Sequence, residues 1–247
     1  IREEYHRRDR REHGVKPDLL GHLCDLCVLC GELLKSPIRY PLSSMRSLAP
    51  PPEIMAASEV LDAVSSRFGE RAREGVRVWI DVIDSPVGAL IIGATESAVC
   101  MLEFVDRASL RARLDSLKRR FAESIEIGSN ACLAALRAQL SEYFAGARRT
   151  FEVPLSYPGT PFQETVWSAL LSIPFGQTWS YLDVAKRIGD PGATRAVGMA
   201  NGMNPIAILI PCHRVVNVGG ELGGYGGGAW RKRALLDLEK GQMPLVL

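Results

Sequence analysis

The chain has 247 residues, 47% hydrophobic and 23% charged, with 30 Lys and Arg against 28 Asp and Glu and a formal net charge of +2. This balance suits a globular protein with one large or two small cores and excludes a global electrostatic commitment to nucleic acid, so any nucleic-acid surface must be local. Six cysteines are too few for a disulfide scaffold. No stretch reaches the ~18 apolar residues of a membrane span, and the Arg-rich start lacks the apolar core of a secretory signal, so a cytoplasmic protein without membrane association is expected.

In chain order, residues 1–13 carry five arginines among four acids without apolar periodicity, the pattern of a solvated tail. In Leu19 to Leu34, Cys24, Cys27 and Cys30 have a C-x-x-C-x-x-C spacing that would supply three soft ligands to zinc or an iron–sulfur cluster if a fourth arrived from elsewhere. Helical spacing also places them in one stripe with Leu20, Leu23 and Leu34, and no second ligand pair lies nearby; packing is the preferred reading and no metal is expected. Pro50-Pro51-Pro52 reads as a linker, which makes residues 1–75 an unassigned, partly disordered extension.

From Val76 the period changes. Val76, Val78, Ile80 and Val82 alternate, Ser85-Pro86 turns the chain, and Gly88 to Gly93 and Ala98 to Phe104 supply two further β-rich runs, predicting a three-stranded antiparallel meander. Leu110, Leu114, Leu117 and Phe121, then Leu133, Leu136, Leu140 and Tyr143, recur at helical spacing and predict two covering helices. Residues 76–157 are thus expected to form a small α+β domain without catalytic residues, with Cys100 and Cys132 in its core.

Residues 158–247 read as a mostly helical domain. Phe162, Val166, Leu170 and Leu171 line a first helix that ends at Ile173-Pro174-Phe175-Gly176, and Ser180 with Asp183 forms a capping box for a second. Gly189-Asp190-Pro191-Gly192 breaks the chain before a third helix from about Ala193, headed by Thr194 and Arg195, so that the pair reads as a helix-turn-helix. The apolar run Ile206 to Ile210 predicts a strand or other buried segment, stopped by Pro211, with Cys212 placed where the chain leaves the core. A thiol beside His213 and Arg214 has a route to a lowered pKa, which makes Cys212 the candidate nucleophile. Seven glycines between Gly219 and Gly228 surround Tyr225, and a last helix runs from Arg231 to Glu239.

Pro211-Cys212-His213-Arg214 resembles the active-site motif of the O6-alkylguanine-DNA alkyltransferases, also called methylated-DNA protein-cysteine methyltransferases. The likeness extends through Pro161-Phe162-Gln163, Val166-Trp167, Ser180-Tyr181, Arg195-Ala196-Val197-Gly198, Asn204-Pro205, Gly223-Gly224-Tyr225 and Leu235-Leu236 with Glu239, and more weakly over residues 76–150. It implies a ribonuclease H-like domain followed by a winged-helix-like domain, an α+β protein overall. It also implies irreversible, single-use transfer of an alkyl group from O6-alkylguanine in double-stranded DNA to Cys212 after base flipping. His213 and Glu239 then form a relay with Cys212 through water, and Tyr181 and Asn204 assist. Arg195 fills the vacated stack from the minor groove, with Thr194, Ala196 and Gly198 beside it, and Pro211, Val215, Tyr225 and Gly226 form the base pocket. A monomer acting without cofactor is expected. The main alternative is a damage sensor or transcriptional regulator using the same reaction, but residues 1–70 show no helix-turn-helix to carry it; a thiol hydrolase would need turnover and an oxyanion hole.

Overall fold

The computed structural model describes residues 76–121 and 124–241; the extension, its cysteine cluster and the Pro50 linker lie outside them. Strands β1 (Arg77–Ile83), β2 (Leu90–Ala94) and β3 (Val99–Phe104) form the expected meander, with Ile80 opposite Gly93 and Leu90 opposite Phe104. The Ser85 hydroxyl donates to the Gly88 carbonyl and accepts from the Val87 amide, closing the first turn at Gly88, whose φ of 95° suits a residue without Cβ. Helix α1 (Leu110–Phe121) follows, then β4 (Ser124–Ile127), which pairs parallel to β1 and makes the sheet four-stranded and mixed, in the order β3-β2-β1-β4. The α+β class holds, with this added parallel strand.

Every residue of β2 and β3 is buried, because the sheet is covered on both faces. Leu114 and Leu117 of α1 join Ile80, Ile91 and Met101 in one cluster. Leu133, Leu136 and Leu140 of α2 (Ala131–Phe144) join Leu90, Ile92 and Leu102 on the opposite face, and that cluster continues into the second half of the chain through Trp167, Val184, Val197 and Leu235.

The second half begins with α3 (Pro161–Leu171), started by a reciprocal capping box between Thr160 and Gln163 with proline at the first turn. Strand β5 (Trp179–Ser180) leads into α4 (Tyr181–Arg187), where Ser180 and Asp183 form the capping box that their spacing predicts. Gly189 at φ 82° and the Asp190 side chain bonded to the Gly192 amide turn the chain into α5 (Thr194–Gly202), completing the helix-turn-helix. Strand β6 (Val215–Val216) pairs with β5, and α6 (Ala229–Glu239) closes the described structure. Two connections dock on the edge of β3: Leu155 bridges Val99, and Ile206 bridges Leu102. Among the described residues no helix is long and apolar enough to cross a membrane.

Candidate active site

The segment Ile206 to Ile210 is buried but is not a strand. Its side chains have only one compact core to enter, so the backbone folds on itself: the Ile210 amide donates to the Ile206 carbonyl, the Leu209 amide to Ala207 and the Cys212 amide to Ile210. Ile208 is left at φ 70°, a left-handed conformation that costs a β-branched residue about 1–3 kcal/mol. Asn204 holds both ends of this turn, accepting from the Ile206 amide through Oδ1 at 3.0 Å and donating through Nδ2 to the Ile210 carbonyl at 2.8 Å. The same Nδ2 lies 3.0 Å from Cys212 Sγ, and Asn201 Nδ2 donates to the Cys212 carbonyl at 3.4 Å.

Cys212 opens a short 3-10 turn, Cys212 to Arg214, and is itself buried rather than emergent. Burial pushes its thiol above the ordinary value, opposed by the Asn204 hydrogen bond and by Arg107 and Lys232. The expected lowering by His213 and Arg214 is therefore corrected. His213 is held neutral, its pKa lowered by burial against the pull of Glu239, and Arg214 is committed elsewhere.

That commitment is to Glu239, a buried carboxylate that four residues approach. Arg214 donates to it twice, from Nε at 2.8 Å and Nη2 at 3.0 Å; His213 Nε2 lies 2.8 Å from Oε1; the Tyr143 hydroxyl donates to Oε1 at 2.8 Å; and the Gly176 amide donates to Oε2 at 3.1 Å. Burial opposes ionisation of Glu239, but the hydrogen bonds and charges of His213 and Arg214 outweigh it and hold the carboxyl well below its usual range. An ionised partner at Nε2 fixes the proton there, so Nδ1, which is buried and has no partner among the described residues, is the acceptor nitrogen.

Cys212 faces a cavity of about 210 Å3 walled by Tyr181, Gly198, Asn201, Asn204 and the glycine-rich loop Gly224 to Gly227. The Tyr181 hydroxyl, at the start of α4, reaches toward the Gly224 carbonyl at 3.5 Å, and the Tyr225 hydroxyl is buried without a partner among the described residues. The loop approaches its neighbours so closely that a Cβ on Gly226 would lie 2.4 Å from the Arg107 guanidinium, and one on Gly227 2.4 Å from the Phe104 ring. Pro211 and Val215, expected in the wall, are buried outside it. Proline closes the core turn, and Val215 is drawn into pairing with Trp179. Tyr143, Glu103, Phe104, Arg107 and Lys232 carry no motif signal and are added by the structure. Tyr143 reads in sequence as one member of an apolar stripe, and Lys232 is buried with its ammonium bonded to the Leu222 carbonyl.

Beside the cavity, Arg195 is exposed as the second residue of α5; Ala196 is exposed next to it, and the Thr194 hydroxyl turns back to the Pro191 carbonyl at 3.3 Å. Met199 on this helix and Met203 just past its end are 70% and 48% exposed, an apolar surface with no motif signal in the sequence.

The arrangement defines a class: a pocket-facing thiol, backed by a histidine and a buried carboxylate, beneath a helix-turn-helix. Residues 78–157 match the model described as 6-O-methylguanine DNA methyltransferase, ribonuclease-like domain, and residues 161–241 match that enzyme's DNA binding domain. The chain is 45% identical over 163 residues to the methylated-DNA–protein-cysteine methyltransferase of Mycobacterium leprae, covering 65% of this chain and 92% of the relative. It is 38% identical to the protein of that name from Methanosarcina barkeri, over 67% of this chain and 99% of the relative. Among solved structures, Mycobacterium tuberculosis OGT in complex with DNA superposes with a TM-score of 0.59 at 44% identity, covering 68% of this chain and 96% of that one. The chain belongs to the 6-O-methylguanine DNA methyltransferase family.

Proposed function

We infer that the protein repairs DNA by moving the alkyl group from O6 of guanine onto its own Cys212. The observation that carries this reading is Cys212 Sγ at the wall of a base-sized cavity, next in sequence to His213, which is hydrogen-bonded to Glu239, in a chain of this family. In the resting site the thiol keeps its proton. Once the flipped base fills the cavity, His213 Nδ1 draws that proton through a bridging water, Glu239 stabilises the resulting imidazolium, and Sγ attacks the alkyl carbon. The S–C bond forms as the C–O6 bond breaks. The departing guanine takes up a proton, with the Tyr181 hydroxyl as hydrogen-bond donor, so the thiol proton is in effect exchanged for the alkyl group. Asn204 holds Sγ in line, and Tyr225 and Gly226 bound the base.

The duplex would be met by the helix-turn-helix from the minor groove. Unstacking a nucleotide costs a few kcal/mol, less for a poorly paired lesion, and the exposed Arg195 would occupy the vacancy, with Thr194, Ala196 and Gly198 allowing close approach. A thioether is a poor leaving group, so the protein is consumed one molecule per lesion, and the reaction balances without a cofactor. Intact-mass measurement after incubation with duplex containing O6-methylguanine tests this: the protein should gain one methylene, and repaired guanine should never exceed protein. Repair beyond one equivalent, or repair of DNA by a protein of unchanged mass, would overturn the reading.

A further inference from the structure

We propose that α1 carries a second DNA contact, a phosphate-binding groove that extends the footprint of α5 onto the sugar–phosphate backbone. The inference rests on the reading of the protein as a duplex-DNA repair protein. Between α1 and the carboxy-terminal end of α5 lies a groove of about 330 Å3 whose lining includes Arg107, Arg113, Arg119, Arg120, Gly202 and Met203. Four guanidinium groups line it against one carboxylate, Glu103, which is buried and already paired with Arg107 and Arg113.

These arginines divide by role. Arg107 and Arg113 point inward and cap α5: Arg107 donates to the Gly202 carbonyl at 2.9 Å, and Arg113 donates to the carbonyls of Gly202 and Met203 at 2.7 Å each and of Asn204 at 3.1 Å. Cations at a helix carboxy terminus satisfy its orphan carbonyls and its dipole, so α1 is fixed to the end of α5. Arg119 and Arg120, like Arg111 about two turns earlier, are exposed and make no ion pair among the described residues. Nothing inside the described fold uses their charge.

Surface continuity and charge both point to duplex DNA as the partner. Exposed Met199 and Met203 carry the α5 surface to the groove, and Met203 lines it. A nine-residue helix is ~13 Å long against a minor groove ~6 Å wide, so with Arg195 at the base stack the Met203 end of a helix laid across the groove reaches the phosphate rim. Unpaired guanidinium groups at that rim suit bridging phosphate oxygens.

The test uses the full chain with Arg119→Gln and Arg120→Gln together. Duplex affinity is measured over a range of salt concentrations, alongside the rate of reaction with free O6-benzylguanine. The log–log salt slope should become shallower by about two units, with several-fold weaker binding to methylated and unmodified duplex alike. The free-base reaction should stay unchanged. Removing equal charge from the far side of the sheet, with Arg77→Gln and Arg137→Gln, should leave the slope as it was. An unaltered slope in the first variant, an equal change in the second, or a fall in the free-base rate would overturn the proposal. Failure of the unsubstituted protein to react with methylated duplex would instead overturn the parent reading.

Discussion

Glu239 is the residue on which the site turns, because its one charge orients both His213 and Arg214 and is itself tied to the sheet-bearing half of the molecule by Tyr143. Tyr143→Phe removes a buried donor to a carboxylate and should lower unfolding free energy by about 1.5–3 kcal/mol in denaturant titration, with a slower alkyl transfer to the free-base substrate as His213 loses its fixed partner geometry. The pH response follows from the same pair. His213 is pushed below its ordinary 6.5 by burial, so as pH falls below that value the unfolded chain binds a proton that the folded chain refuses. Stability is therefore full above this range and declines on acidification. Glu239, held ionised below its ordinary 4.5, adds a loss of the same sign at lower pH. Denaturation midpoints that rose from pH 7 to pH 5 would contradict this assignment. The nucleophile was legible because proline, cysteine, histidine and arginine adjoin in sequence. The partners of the relay were not, because Tyr143 and Gly176 meet Glu239 only through tertiary packing.

Among the elements, the helix-turn-helix was readable from its caps: Ser180 with Asp183 starts α4, and Gly189 and Asp190 set the turn. Strand β4 was not, since four residues reading Ser-Ile-Glu-Ile offer too short a pattern and owe their strand to pairing with β1. The run before Cys212 reads by composition as a strand or another buried segment; it is buried, and tertiary enclosure and Asn204 bend it into a turn strained at Ile208. For α5, Arg195→Ala should slow repair in duplex by a large factor while leaving reaction with free O6-benzylguanine within about twofold, since only the duplex requires a base to leave the stack. Equal slowing of both would place Arg195 in the chemistry or the folding instead.

At the scale of the molecule, one cluster of buried side chains runs from Leu90, Leu102 and Leu136 to Trp167, Val197 and Leu235, and Tyr143, Phe104 and Arg107 bring the first half of the chain to the site of the second. Every candidate residue that the sequence motifs named lies from Phe162 onward, because the contribution of the first half is packing and hydrogen bonding that no spacing encodes. A chain beginning at Arg71 retains all of these groups and should repair methylated duplex at an undiminished rate, with Cys24, Cys27 and Cys30 dispensable; a folded but inactive product would assign the extension a role. The central claim is that Cys212, and not the Cys100 thiol, which burial raises to about 12, or the half-buried Cys132, receives the alkyl group. Peptide mapping by mass spectrometry after reaction with duplex carrying one O6-methylguanine tests it most directly. One added methylene per protein is expected, on the peptide containing Cys212 and on no other; a methyl group found on another residue, or an unmodified Cys212 beside repaired DNA, would contradict the assignment.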